Sequence, residues 1–266
     1  MRSPASHGSA DPDERPARSP LPAGAVRARA AEEAHRSFLR VASHELRTPL
    51  NAIIGFSEII ARELYGPMSE PRYRDHAMIV HESGLKLLKL VNEVLEIARL
   101  EAGLADFDLR PEDLAAATAA AIKAVDADAA ARGVRLSLHA AHEAPRALAD
   151  ARALSTVLAG LLQMSIGRSQ AGGAVEIVVE PVGADVVIEV RDEGAHVSPE
   201  DLVRMLRPFE HPENVLVRTE EGAGLRLTIV HLLCRGMGGR LSLRSGEGEG
   251  LTSIVRLKAL RGPEAL

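Results

Sequence analysis

The chain has 266 residues, 46% of them hydrophobic, with a formal net charge of −5, a single cysteine and no tryptophan. That length and apolar content supports one large or two small cores, and aromatics at only 2% mean that they are built from Leu, Val, Ile and Ala. The acidic balance excludes bulk nucleic-acid binding, which needs a basic face to displace counterions, and the lone Cys234 excludes an internal disulfide or a cysteine metal cluster.

Residues 1–28 are rich in Pro, Ser, Ala and charge, lack apolar periodicity and read as a disordered, solvated tail. They hold no apolar stretch like that of a signal peptide. No run in the chain approaches the ~20 apolar residues of a membrane helix. A cytoplasmic chain without a membrane segment or a transmembrane sensor is therefore expected.

From Ala31 to Leu64 the apolar residues Phe38, Val41, Leu46, Leu50, Ile53, Ile60 and Leu64 recur at helical steps. Pro49 interrupts this run and should kink the helix rather than end it. Tyr65-Gly66-Pro67-Met68-Ser69 reads as a turn. A second helix follows from Glu70 to Leu100, with Val80, Leu87, Val91, Val94, Leu95 and Ala98 on its apolar stripe. Two amphipathic helices joined by a short turn make an antiparallel hairpin over residues 29–103. A lone hairpin leaves its stripes uncovered, so pairing of two copies into a four-helix bundle, a homodimer, is expected.

After Gly103 the texture changes. The pattern predicts helices over 112–132, 150–168, 199–206 and 223–236, the last capped by Gly236. It predicts strands over 134–138, 174–181, 185–191, 240–244 and 251–258, with a turn at Val182-Gly183-Ala184. Residues 104–262 are thus expected to form an α+β two-layer sandwich, with helices on one face of a mixed sheet.

The chemistry is concentrated in the first helix. His44 lies at the edge of the apolar stripe, between Ser43 and Glu45, where an imidazole with a near-neutral pKa is both accessible and nucleophilic. Glu45 is placed to accept its proton or orient the ring. Thr48 follows at i+4 and shares a face with His44. Pro49 leaves the carbonyl of Glu45 without its helical partner. The remaining histidines, among them His76, His81, His139 and His231, show no metal-ligand spacing, and no metal site is assigned.

The segment Ser43-His44-Glu45-Leu46-Arg47-Thr48-Pro49-Leu50-Asn51 resembles the phosphoacceptor box of two-component sensor histidine kinases. The likeness continues through Gly55-Phe56-Ser57-Glu58 and His81-Glu82-Ser83-Gly84 to Leu100-Glu101-Ala102-Gly103. It implies a dimerising hairpin phosphorylated on His44, Glu45 as the base, and Thr48 as the residue that positions water when a response regulator is dephosphorylated. It also implies that residues 108–258 follow the frame of the histidine-kinase ATPase domain. In that frame Asp192 recognises the adenine amino group, and Gly194, Gly222 and Gly224 belong to the nucleotide loops.

Several positions depart from the family's pattern. The asparagine that anchors Mg²⁺ is replaced by Met164, an earlier asparagine by Gly160 and a nearby lysine by Gly167. A soft thioether is a poor ligand for a cation that demands hard oxygens. In Asp192-Glu193-Gly194-Ala195-His196 the second glycine of the motif has become His196. In Gly222-Ala223-Gly224-Leu225-Arg226-Leu227 the third has become Arg226. No cofactor is assigned. Mg²⁺ is not expected to be held, and ATP, without its metal, is the ligand that Asp192 leaves open.

Three readings follow. In the first the chain exchanges phosphoryl groups between His44 and a response-regulator receiver domain, loaded by that regulator or by a partner histidine kinase, without efficient autophosphorylation. In the second it is an active kinase with a tolerant ATP site. In the third it is a non-catalytic regulator, or a phosphatase relying on Thr48.

Overall fold

The computed structural model describes residues 45–46, 48–60, 62–67, 71–141, 146–208, 223–246 and 249–260. All of them lie in one compact unit, 42–266. The expected tail at 1–28 falls outside the described residues.

Residues 48–60 are helical (α1), and a turn over 62–67 leads to the second helix, α2, Pro71–Glu101. The turn is closed by the hydrogen bonds Leu64 N to Ile59 O, 3.3 Å, and Gly66 N to Glu63 O, 2.9 Å. Gly66 has φ +108°, a region where only glycine sits without strain. An aromatic cluster pins this end of the hairpin. His76 stacks on Phe56 at 5.1 Å and on Tyr65 at 5.3 Å between centroids. The Tyr65 amide donates to the Tyr73 hydroxyl at 3.0 Å, and the Arg72 guanidinium lies 5.5 Å over the Tyr65 ring. A chain with two tyrosines and four phenylalanines thus spends both tyrosines here. Helix α2 ends at Gly103, φ +67°, with Leu104 N bonding back to Arg99 O at 3.1 Å.

The sandwich begins with β1, Arg110–Asp113, and α3, Leu114–Arg132, whose N-cap Asp113 accepts from Ala116 N at 2.9 Å. Then come β2, Arg135–Ala140; β3, Arg146–Ala149; α4, Ala151–Arg168; β4, Ala174–Val182; and β5, Asp185–Asp192. The chain finishes with α5, Pro199–Met205; α6, Ala223–Gly236; β6, Arg240–Ser245; and β7, Leu251–Lys258. The large sheet runs β2-β4-β5-β7-β6, with β2 parallel to β4 and every other pair antiparallel. It is the mixed sheet expected from the alternating strands.

One sheet face carries Val175, Ile177 and Val179 of β4 and Ile188 and Val190 of β5, all buried. The fully buried Leu154, Leu158, Leu161 and Leu162 of α4 lie in the same core. The opposite face is charged: Arg191 bridges Glu176, 3.3 Å away, and Glu189. Helix α2 packs against α6, so hairpin and sandwich meet.

Two features differ from the sequence reading. Strands β1 and β3 pair antiparallel as a separate two-stranded sheet, and neither is anticipated. Helix α6 includes Gly236, and the left-handed residue that ends it is Gly238, φ +72°, with Gly239 N bonding to Cys234 O at 2.8 Å. Gly236 serves packing instead: a Cβ there would stand 2.1 Å from Cζ of Phe107, whose ring lies against the bare backbone.

Candidate phosphoacceptor helix and nucleotide site

Of the phosphoacceptor box, Ser43, His44 and Arg47 lie outside the described residues. Glu45 is helical and half-buried, Thr48 is helical and exposed, and Pro49 is accommodated within the helix. Glu45 and Thr48 are three residues apart, the spacing of neighbours on one helix face.

The ATPase-like site is built where α4, β5 and α6 meet. The residues that would hold a metal stand on α4. Gly160 lies against α6: a Cβ there would stand 2.9 Å from Val230 Cγ2 and 3.5 Å from Arg226 Cγ. The stem of Arg226 thus occupies the side of α4 where an asparagine side chain would project. Met164 is buried at 7% exposure, and its thioether offers no hard oxygen.

At the last turn of α4, Arg168 reaches across to the end of β5. Its Nε donates to Asp192 Oδ2 at 3.1 Å, and its Nη2 donates to the carbonyl of Ala195. The other carboxylate oxygen, Oδ1, accepts from Gly194 N at 2.9 Å and from Leu251 N at 3.1 Å. The side chains are 2% and 0% exposed. Among the described residues, Arg168 Nη1 is buried without a partner, as are the hydroxyls of Ser165 on α4 and Ser253 on β7. Glycines let the backbone close on this pair. A Cβ at Gly250 would fall 1.9 Å from the Asp192 carbonyl oxygen, and one at Gly194 would fall 2.9 Å from that of Arg168.

His196, in place of the motif's second glycine, ties the loop down. Its Nδ1 lies 2.9 Å from Gly246 O and 3.1 Å from Ser245 Oγ. Ser245 Oγ in turn accepts from Val197 N at 3.1 Å and donates to Gly250 O at 2.8 Å. Gly224 stands in the first turn of α6, whereas Gly222 lies outside the described residues.

A cleft of about 1030 Å³ opens beside the α2–α6 contact, between α2 and α4, lined among others by Lys89, Asn92, Glu93, Gln163 and Arg226. Burial raises the pKa of the Glu93 carboxyl, and the charges of Lys89 and Arg226 pull it back. Four acidic and four basic side chains line this cleft, so it favours neither sign of charge.

The residues present do not fit Mg·ATP as the resemblance implies it. The metal anchor is a buried thioether, and the carboxylate assigned to the base is engaged by Arg168. Sequence reasoning finds Asp192 and Gly194 and places them together, but misses Arg168, Ser245 and Glu93. The one available signal is an arginine ending an otherwise uncharged helix turn, Met164-Ser165-Ile166-Gly167-Arg168.

Comparison with known proteins agrees with this architecture. The His Kinase A (phospho-acceptor) domain matches residues 34–103. The histidine kinase-, DNA gyrase B- and HSP90-like ATPase matches residues 149–261. The chain belongs to the two-component sensor histidine kinase family. It is 36% identical to an uncharacterized sensor-like histidine kinase of Rhizobium meliloti over 88% of this chain and 45% of that protein. It is also 36% identical to the histidine protein kinase DivJ of Caulobacter vibrioides, over 85% of this chain and 38% of that one. The chain thus spans less than half the length of these curated relatives.

Among solved structures, histidine kinase AdeS of Acinetobacter baumannii superposes with a TM-score of 0.64 at 21% identity, over 82% of this chain and 98% of that one. Histidine kinase ThkA in complex with response regulator protein TrrA gives 0.67 at 20% identity, over 88% of this chain and 64% of that one. At these identities the likeness shows the fold: a helical region followed by an ATPase-type sandwich. Among the described residues no helix is long and apolar enough to cross a membrane.

Proposed function

We propose that the chain is a cytoplasmic, homodimeric histidine phosphotransfer protein, phosphorylated on His44 and exchanging that group with the aspartate of a receiver domain. The observation that carries the reading is a contrast within one chain. The box Ser43–Asn51 keeps every residue that the chemistry needs, while the ATPase-like site has a thioether for its metal anchor and a carboxylate already bonded to Arg168.

The exchange is balanced without a nucleotide. An imidazole nitrogen of His44 attacks the phosphorus of an aspartyl phosphate. The N–P bond forms as the acyl O–P bond breaks, and the aspartate leaves as a carboxylate. Glu45 takes up the imidazole proton or orients the ring, and the reverse reaction returns the phosphoryl group to a receiver. Loading by a partner histidine kinase is an alternative entry to the same phosphohistidine.

The second reading, a working kinase, is favoured by the 36% identity to DivJ, named as a histidine protein kinase. One experiment separates the two. Purified chain is incubated with Mg²⁺ and radiolabelled ATP, and in parallel with a phosphorylated receiver domain, each beside a His44→Ala control. Label from the receiver but not from ATP, lost in the control, supports phosphotransfer. His44-dependent, acid-labile label from ATP supports the kinase.

A further inference from the structure

We infer that Arg168 is a built-in occupant of the base-recognition end of the ATPase-like site, taking the place of the purine, so that the chain does not bind adenine nucleotides. This rests on the reading of Asp192 as the base-recognising carboxylate, and it deepens the proposed function by naming what fills that site.

The geometry is that of a ligand supplied by the chain itself. An adenine amino group would donate one N–H to Asp192, and Arg168 Nε donates to that same carboxylate at 3.1 Å. The remaining oxygen is taken by two backbone amides, those of Gly194 and Leu251. A bonded carboxylate that is itself 0% exposed, paired with an Arg168 side chain 2% exposed, has little left with which to recruit a neutral donor from solvent. A charged donor forms the stronger bond, so a base competing for Asp192 must displace an ion pair rather than water. The second guanidinium arm bonds Ala195 O, which fixes the loop after β5 onto α4. Gly194 and Gly250 are needed for this closure, because a Cβ at either would strike the backbone or the carboxylate of the pair. These glycines therefore serve the internal pair, whatever a nucleotide once required of them.

The arrangement also accounts for a cost. Arg168 Nη1 is buried without an acceptor among the described residues. Such a group persists only where the rest of the contact over-determines the side chain's position.

The test titrates ADP, in EDTA and again with Mg²⁺, into the full chain and follows amide shifts together with the Nε–H resonance of Arg168. In the wild type the Nε–H is expected to be sharp, slow to exchange with solvent and unmoved by millimolar ADP. Arg168→Ala, verified as folded by its thermal transition, is expected to gain at least about tenfold in ADP affinity, with shifts at Gly194 and Leu251. Asp192→Asn in that background should remove the gain. Wild-type ADP binding with loss of the protected Nε–H overturns the inference, as does a folded Arg168→Ala chain without any gain. If Arg168→Ala does not fold, the wild-type Nε–H decides, because rapid exchange there is itself incompatible with a seated guanidinium. The two readings fail separately. A chain that refuses ADP and also refuses phosphoryl groups from every receiver loses the phosphotransfer reading alone. One that binds ADP but takes label only from a receiver loses the plug alone.

Discussion

At the residue scale, the clearest single contribution is the cap of α4. Asp150 accepts from Arg152 N and Ala153 N, each at 2.9 Å, and from Asp108 N at 2.9 Å, so it starts the helix and anchors the chain arriving from α2. Bonds from the amides of Ala153 and Asp108 hold its carboxyl below the ordinary value of 3.8. A carboxyl depressed on folding stabilises above its unfolded pKa, and that contribution fades as pH falls through the folded value. Asp150→Ala is expected to cost about 1 kcal/mol at neutral pH. In urea titrations the gap between variant and wild type should narrow below pH 4, and a gap that persists at pH 2 would contradict the electrostatic account. Cys234 makes the opposite kind of statement. It is fully buried, and desolvation pushes its thiol up to about 12. Maleimide labelling of the folded chain at pH 8 should run at least about a hundredfold slower than in denaturant, because the thiolate is the reactive form. Fast labelling without unfolding would show that α6 opens locally. Residues of this kind are only partly legible in a sequence. The box around His44 can be read because its roles lie within one helix turn. Arg168 cannot, because its partner Asp192 is 24 positions away and only the fold brings them together.

At the element scale, the strands that alternate are the ones a sequence gives up. β4 buries every second residue from Val175 to Val179, and β5 buries Ile188, Val190 and Asp192. Strands β1 and β3 have four residues each, and β1 reads Arg-Pro-Glu-Asp, a charged turn by composition. They become strands only by pairing with each other across α3, which no local pattern announces. Gly236 fails as a cap for a similar reason: what it accommodates is the ring of Phe107, brought in by the linker from α2. Glycines in these elements separate into two kinds that a melting experiment can distinguish. At Gly250 a Cβ would meet the backbone oxygen of Asp192, which cannot swing aside, whereas at Gly167, inside α4, nothing lies within 4 Å. Gly250→Ala should therefore cost about 1–3 kcal/mol through overpacking. Gly167→Ala should gain about 0.5–1 kcal/mol by restricting the unfolded chain. Equal effects of the two substitutions would show that glycine content, rather than space, sets the stability of this site.

At the scale of the whole molecule, α2 presents apolar side chains that the other described residues leave largely uncovered, Leu85 and Leu88 among those lining the cleft. Met78, Leu85, Leu88 and Leu95 are 54–62% exposed, although they sit in the middle of a helix whose other side is packed. Their spacing follows a seam of alternating three- and four-residue steps, with His81 and Asn92 at the two remaining positions. Such a seam suits a helix partner, and a polar residue within it is the device that fixes register between copies. Exposed apolar groups in this number mark an interaction surface rather than ordinary scatter. Each leucine buried across the seam contributes about 1.5–3 kcal/mol. Leu95→Glu replaces that gain with the desolvation of a charge, so the dimer dissociation constant should rise at least tenfold, and by more than about 1.4 kcal/mol in free energy. Light scattering across a dilution series reads the effect directly. Circular dichroism of the same samples should show the sandwich intact, because its core of α4, β4 and β5 does not depend on Leu95. A wild-type chain that stays monomeric, or a Leu95→Glu chain whose dimer is unweakened, would remove the seam from the assembly and leave the four-helix bundle without its physical basis here. Phosphotransfer should be affected in step with dimerisation if the bundle is what holds α1 straight behind His44. Measuring receiver-dependent labelling of Leu95→Glu above and below its dissociation constant tests that link, since labelling that ignores the monomer–dimer transition would make the phosphoacceptor helix self-sufficient.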